Sequence, residues 1–248
     1  MGRPSIVIAT RELDPLAGGG VAPGPVATLR ALAGVADATL VTSPAAAAAV
    51  DLDGLDVVLA DEPPRDGERS PGYQSWAHAW SDALHRAIRG RFGDAGPDLL
   101  ELPDRGAEAF VALQARRTGE RSLARTRIVV RLVGTGEVRD VLDGSLSAAL
   151  EAEVVRECER YCLRRADALL HPGGDVAGAY ERYYGADALA PRRLLPAAIE
   201  PGDVPAAGPR DAAAAGTGAL RLLCLGPLER RLGQAELVRA LQAIGGEG

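Results

Sequence analysis

The chain has 248 residues, with 28 basic and 34 acidic side chains, a net charge of −6, 47% hydrophobic residues and 25% charged ones. This balance excludes a disordered or fibrous chain, and the acidic excess argues against a general nucleic-acid surface, which needs clustered positive charge. The length allows one large domain, or one domain and part of another.

Every basic residue is Arg and only 4% of the chain is aromatic, a compositional bias that keeps arginine richness by itself from marking an anion site. No apolar run reaches the roughly 18 residues of a membrane span. The opening MGRPSIVIAT has one Arg before a short apolar run and lacks the core and cleavage site of a signal peptide, so a soluble, cytoplasmic protein is expected. Three cysteines make no disulfide framework. Cys158 and Cys162, four apart, and Cys224 in an apolar run read as small buried hydrophobes, and no partner ligands at zinc spacing accompany them.

Ser5–Thr10 is a continuous apolar run, as expected of a strand buried on both faces of a parallel sheet. A glycine-rich loop, Arg11–Gly20, follows, and Pro23–Gly34 carries Val26, Leu29 and Leu32 at helical spacing, with Pro near the start and Gly at the end. The rhythm repeats. Strands are predicted at Ala38–Thr42, Asp56–Ala60, Asp98–Leu102, Arg127–Val133, Ala168–His171 and Arg193–Ile199, and helices at about Gln74–Arg91, Ala107–Arg117, Leu146–Arg165 and Val176–Tyr184. In the long helix, Leu150, Val154, Cys158 and Cys162 form one stripe, and the interleaved acids and arginines, Glu159 among them, read as its wet side. Alternation of this kind predicts an α/β fold, a Rossmann-like parallel sheet with helices on both faces. Residues 1–200 form this first domain. The Pro, Gly and Ala-rich stretch over 201–218 reads as a linker, and 219–248, one strand (Leu220–Leu225) and one helix (Gln234–Ile244), as the truncated beginning of a second α/β domain.

Ligands of open parallel sheets bind at the carboxyl ends of the strands, and the distinctive loops all follow strands. Gly18, Gly19 and Gly20 precede a helix, where glycines let backbone approach a ligand and helix N–H groups face an anion or sugar hydroxyls. The pattern is not GxGxxG, since Pro23 holds the third position, and the second strand ends without the acid that would bind a ribose. Glu101 and Asp104 flank Pro103, either as partners for a hydroxyl-rich ligand or as part of a solvated loop with a helix cap. Gly134, Thr135 and Glu137 belong to a third loop. His171 ends a strand before Pro172-Gly173-Gly174, placed for acid–base work or for a satisfied strand end. His78 and His85 read as structural. There is no Walker A sequence and no persuasive Ser-His-Asp or Cys-His order.

In this order the segments SIVIAT, LDPLAGGG and PGPVATLRALAG, the tract CLRRADALLHPGGDVAGAYERYYG, the strand and turn RRLLPAAIEPGDV, and above all LRLLCLGPLERRLGQAELVRAL resemble glycosyltransferase family 4, the retaining transferases of the two-Rossmann GT-B fold. The resemblance implies transfer of a sugar, with anomeric retention, from a nucleotide-diphosphate sugar to a glycan, lipid or small-molecule acceptor, with no obligatory metal or cofactor. It places the acceptor at Gly18–Gly20, Glu101–Asp104 and Gly134–Glu137 and the donor mainly on the second domain, so that this chain holds the acceptor half and is incomplete or inactive alone. Peripheral membrane contact through a lipid acceptor is compatible with it. The family's donor-phosphate Arg and Lys align with Pro227 and Leu232, leaving Arg230 and Arg231 to compensate, and Val133 stands where many members carry His. Two alternatives stay open: a non-catalytic glycan- or partner-binding module, and a Rossmann-type nucleotide-dependent enzyme.

Overall fold

A computed structural model describes residues 2–13, 23–64, 72–196, 198, 222 and 233–245. The predicted Gly18–Gly20 loop, the whole of the 201–218 linker, nearly all of the Leu220–Leu225 strand, and Arg230 and Arg231 lie outside the described residues.

Seven strands form one all-parallel sheet: β1 (Ser5–Ala9), β2 (Asp37–Thr42), β3 (Asp56–Leu59), β4 (Leu99–Pro103), β5 (Arg127–Arg131), β6 (Ala168–His171) and β7 (Arg192–Leu194). Their order is β3-β2-β1-β4-β5-β6-β7. The helices are α1 (Pro23–Leu32), α2 (Pro44–Ala47), α3 (Trp76–Phe92), α4 (Phe110–Arg117), α5 (Gly136–Asp143), α6 (Leu150–Arg165), α7 (Val176–Tyr184) and α8 (Gln234–Gly245).

β1 pairs with β2 on one side, Val7 opposite Thr39, and with β4 on the other, Val7 opposite Leu100. Strand alternation then divides the core. Val7, Ala9, Val41, Leu100, Leu102, Ile128 and Val130 face one way, onto Trp80, Leu84 and Ile88 of α3, Leu113 of α4 and Cys162 and Leu163 of α6. Ile8 and Leu40 face the other way, onto Leu29 of α1 and Leu13. The larger core holds α3, α4 and α6 rigidly against the sheet centre.

The structure modifies three sequence expectations. The segment before β6 is two helices, since α5 precedes α6 and ends at Gly144, whose φ of +70° closes a left-handed cap. β7 stops at Leu194, two residues before Pro196, which has no N–H to continue the ladder. The polar side of α6 is not wholly wet: Glu159 and Arg156 are buried, whereas Leu150 is exposed. Leu237, Val238 and Leu241 of α8 are also exposed. Among the described residues no helix is long and apolar enough to cross a membrane, and Cys158 and Cys162 are buried free thiols.

The turn between α3 and β4 allows one direct test. Gly96 has a φ of +63°, and a Cβ there would lie 1.7 Å from the Ser122 carbonyl oxygen. Gly96→Ala is expected to destabilise the fold by about 3 kcal/mol or more, read as a fall in the urea midpoint at unchanged m-value.

Candidate functional site at the carboxyl edge of the sheet

Strand order reverses between β1 and β4, and that switch point is where open parallel sheets form a ligand crevice. After β1, the Thr10 hydroxyl accepts from the Glu12 N–H at 3.1 Å and turns the chain outward. Arg11 then lies over the Trp76 indole, its guanidinium carbon 4.8 Å from the ring centroid. Ser75 caps α3 by accepting from the His78 N–H at 3.1 Å, which puts Trp76 in the first turn. Trp76 donates its indole N–H to the Pro63 carbonyl at 3.0 Å and stacks near-parallel on Trp80 at 6.1 Å.

Beneath Arg11 is Glu108, 2% exposed. Its Oε1 accepts from the Trp80 indole N–H at 3.0 Å and the Arg11 N–H at 3.4 Å, with the Arg11 Nε at 3.7 Å. Its Oε2 is buried without a partner. The loop after β4 also carries Arg105, whose Nε donates to the Gly134 carbonyl at 3.1 Å and whose Nη1 reaches Glu12 at 3.3 Å. Ala107 sits there with a φ of +54°, the single non-glycine residue of positive φ among those described. Strain of this kind persists where surrounding structure enforces it, and it concentrates at functional sites.

A second layer of buried acids supports these loops. Asp104, fully buried, accepts from the Val133 N–H at 3.0 Å and from the Tyr180 hydroxyl. That hydroxyl accepts in turn from the Thr135 N–H at 3.0 Å. Glu159, also fully buried, accepts from the N–H groups of Gly106 at 2.8 Å and Gly136 at 3.0 Å. Glu137 is gripped by Arg160 and by the Tyr183 hydroxyl at 3.1 Å.

The sequence-selected residues are therefore placed as follows. Asp104 stands at the switch point but is committed inward. Glu101 lies within β4 rather than in a loop, paired diagonally with Arg131 on β5 at 2.5 Å and 5% exposed. In the third loop the Thr135 hydroxyl caps α5 through the Val138 N–H at 3.1 Å and meets the Tyr184 hydroxyl at 2.7 Å, while the Gly134 carbonyl holds Arg105. The polar groups of Gly134, Thr135 and Glu137 thus have partners inside the protein. His171 ends β6 with its Nδ1 buried and unpartnered. His85 pairs with Glu120 at 3.2 Å, and His78 packs edge-on against Tyr73 and Phe110. Arg105, Glu108, Glu159, Tyr180 and the Arg11–Trp76 contact escaped sequence reading because they meet only through the strand order.

Four buried side-chain polar atoms lack partners among the described residues: Thr42 Oγ1, Glu108 Oε2, His171 Nδ1 and Arg156 Nη1. The first three sit at or just beyond the carboxyl ends of β2, β4 and β6. Buried polar groups in native proteins are nearly always satisfied, so their concentration on one edge marks it chemically. No group of three or more His, Cys, Asp or Glu side chains among the described residues is placed to hold a metal ion.

No family model and no curated protein matches this sequence. Solved structures do match its fold. The chain superposes with a TM-score of 0.52 and 16% identity on sucrose-phosphate synthase from Thermosynechococcus elongatus, over 78% of this chain and 48% of that one. On Phytolacca americana UGT2 complexed with UDP-2-fluoro-glucose and pterostilbene the values are 0.51 and 13%, over 82% and 56%. On UDP-glucose:anthocyanidin 3-O-glucosyltransferase in complex with UDP they are 0.50 and 11%, over 81% and 55%. The chain thus spans about half the length of the proteins it resembles. Its fold is the α/β, Rossmann-like parallel sheet of the GT-B glycosyltransferases.

The buried acids give the edge a distinct titration. Burial raises Asp104 to about 6, Glu159 to about 7 and Glu108 to about 8, desolvation outweighing the hydrogen bonds that favour the charged forms. The unfolded chain gives up these protons at the ordinary carboxylate values and the folded chain retains them, so stability falls as pH rises from about 5 to about 8. Asp98, Glu120, Glu153 and Asp175, held below their ordinary values, act below that window. Thermal unfolding is expected to show Tm decreasing across it, and Glu108→Gln to flatten the decrease between about pH 6 and pH 8.

Proposed function

We propose that this chain carries the acceptor side of a nucleotide-sugar-dependent glycosyltransferase of the retaining type, related to family 4. The observation that supports it best is the Arg11–Trp76 contact over the buried Glu108, whose Oε2 has no partner, at the β1/β4 switch point of a GT-B-type sheet. Solved neighbours of the same fold hold UDP or UDP-2-fluoro-glucose, and the sequence segments that resemble family 4 run in the family's order.

In this reading the acceptor enters between the loops after β1 and β4. The Gly18–Gly20 backbone and Arg11 meet its hydroxyls, and the Trp76 indole offers an apolar face to a ring. Glu108, buried beneath Arg11 with its pKa raised to about 8 by burial, holds Arg11 and the Trp80 indole in place under the acceptor. Glu101, Asp104, Gly134, Thr135 and Glu137 shape the site from within. His171 faces the sugar-transfer side. Arg230 and Arg231 take the donor diphosphate, where preorganised positive charge stabilises the leaving group. No metal or cofactor is assigned, the nucleotide sugar being a substrate, and the site belongs to a cytoplasmic protein. A second reading is a glycan-binding module of the same fold that does not turn over, favoured by Pro227 and Leu232 at the positions of the family's donor-phosphate cations.

Thermal unfolding against UDP, GDP and ADP sugars, the free nucleotides, NAD and simple glycosides separates these readings. A transferase is stabilised by one nucleotide sugar, with about 2.7 kcal/mol at 100 times the dissociation constant. The binding module responds only to the glycoside, and a response to NAD alone sinks both. Arg11→Ala is expected to weaken glycoside binding about tenfold and to lower the Tm of the free protein modestly, since it also removes the cation over Trp76 and the charge beside Glu108.

A further inference from the structure

A side chain far from any ligand-facing surface joins the loops of the crevice. Glu159 sits in the middle of α6, on the side that the sequence assigns to solvent, and is fully buried. Its Oε1 accepts from Gly106 in the loop after β4, at 2.8 Å, and from Gly136 at the start of α5, at 3.0 Å; Oε2 lies 3.4 Å from the Glu137 nitrogen. The first turn of α5 is occupied by the protein's own carboxyl group.

We propose that Glu159 is a positioning residue for the crevice, fixing the loops after β4 and β5 against one another. Three observations carry this. The clamped loop is strained, with Gly106 at a φ of +69° and Ala107 at +54°, and such geometry relaxes once its restraint is removed. The fit at the other loop is close, since a Cβ on Gly136 would come 3.3 Å from Oε1. The clamp is also relayed outward, because Arg105, next to Gly106, bonds the Gly134 carbonyl and Glu12, and Glu108 follows Ala107 directly. Glu159 therefore sets the place of groups that line the crevice without lining it. That the crevice receives a sugar rests on the function proposed above; the coupling of the two loops does not.

Amide hydrogen exchange resolved by residue tests the coupling in the full chain. In Glu159→Ala, the Gly106 and Gly136 amides are expected to lose protection together by about tenfold or more, with the core amides of Leu100, Val130 and Leu169 unchanged. Glu159→Gln, whose amide oxygen can accept from both glycines, is expected to restore most of it. Glu159→Asp, with a shorter reach, replaces the alanine variant if that one does not fold. Protection within about twofold of the parent in the alanine variant, a loss spread equally over the sheet, or failure of Gln to rescue would each overturn the proposal. A simple glycoside, the probe for the acceptor crevice, is then titrated into the parent and both variants. If the parent binds it, affinity is expected to fall about tenfold in Ala and recover in Gln, and unchanged affinity in Ala also overturns the proposal. If the parent does not bind the glycoside, the sugar-binding reading suffers while exchange still decides the role of Glu159.

Discussion

Where the chain leaves β4 and β5, backbone N–H groups that the ladder no longer pairs are met by buried acidic side chains. Asp104 takes the Val133 N–H, and Glu159 takes those of Gly106 and Gly136. Burying these acids is costly, and the donors converging on each group offset only part of that cost. These contacts join neighbouring loops: β1 is linked through Glu12 and Arg105 to the loop after β4, that loop through Asp104 and Glu159 to the one after β5, and both to α6 and α7.

The two faces of the sheet divide the labour. One carries the broad apolar core under α3, α4 and α6, which fixes the helices that deliver Trp76, Trp80 and Glu159. The other is narrow near α1 and turns polar beside it, where Glu101 and Arg131 pair across β4 and β5. An ion pair of this kind contributes little net stability. Its significance here is negative, since it draws Glu101 away from the crevice in which sequence proximity to Asp104 had placed it.

The architecture was legible because it depends on local pattern. Apolar runs such as Ser5–Ala9 and Arg127–Arg131 and the helical spacing within α3 and α7 signal strands and helices directly, whereas the short α5 went unread. The site was legible only as a set of loops. Which atoms in those loops stay free is decided by partners remote in sequence: Tyr180 stands 76 residues from Asp104, and Glu159 stands 53 from Gly106. Periodicity misassigned Glu159 for a physical reason, since amphipathic spacing counts charge as solvent-seeking and does not see the backbone N–H groups that make burial tolerable. Arg11 and Trp76 were likewise visible singly and unremarkable until the sheet brought them into contact.

Cys158 and Cys162, one turn apart on α6 beside Glu159, provide the edge with a built-in chemical reporter. Burial lifts the Cys158 thiol to about 11 and drives that of Cys162 higher than its ordinary value. The reactive thiolate is thus scarce and shielded as long as α6 stays packed. Alkylation of these sulfurs consequently keeps time with the separation of α6 from the loops it clamps, recording in a covalent mass increment the same event that sets the shape of the crevice.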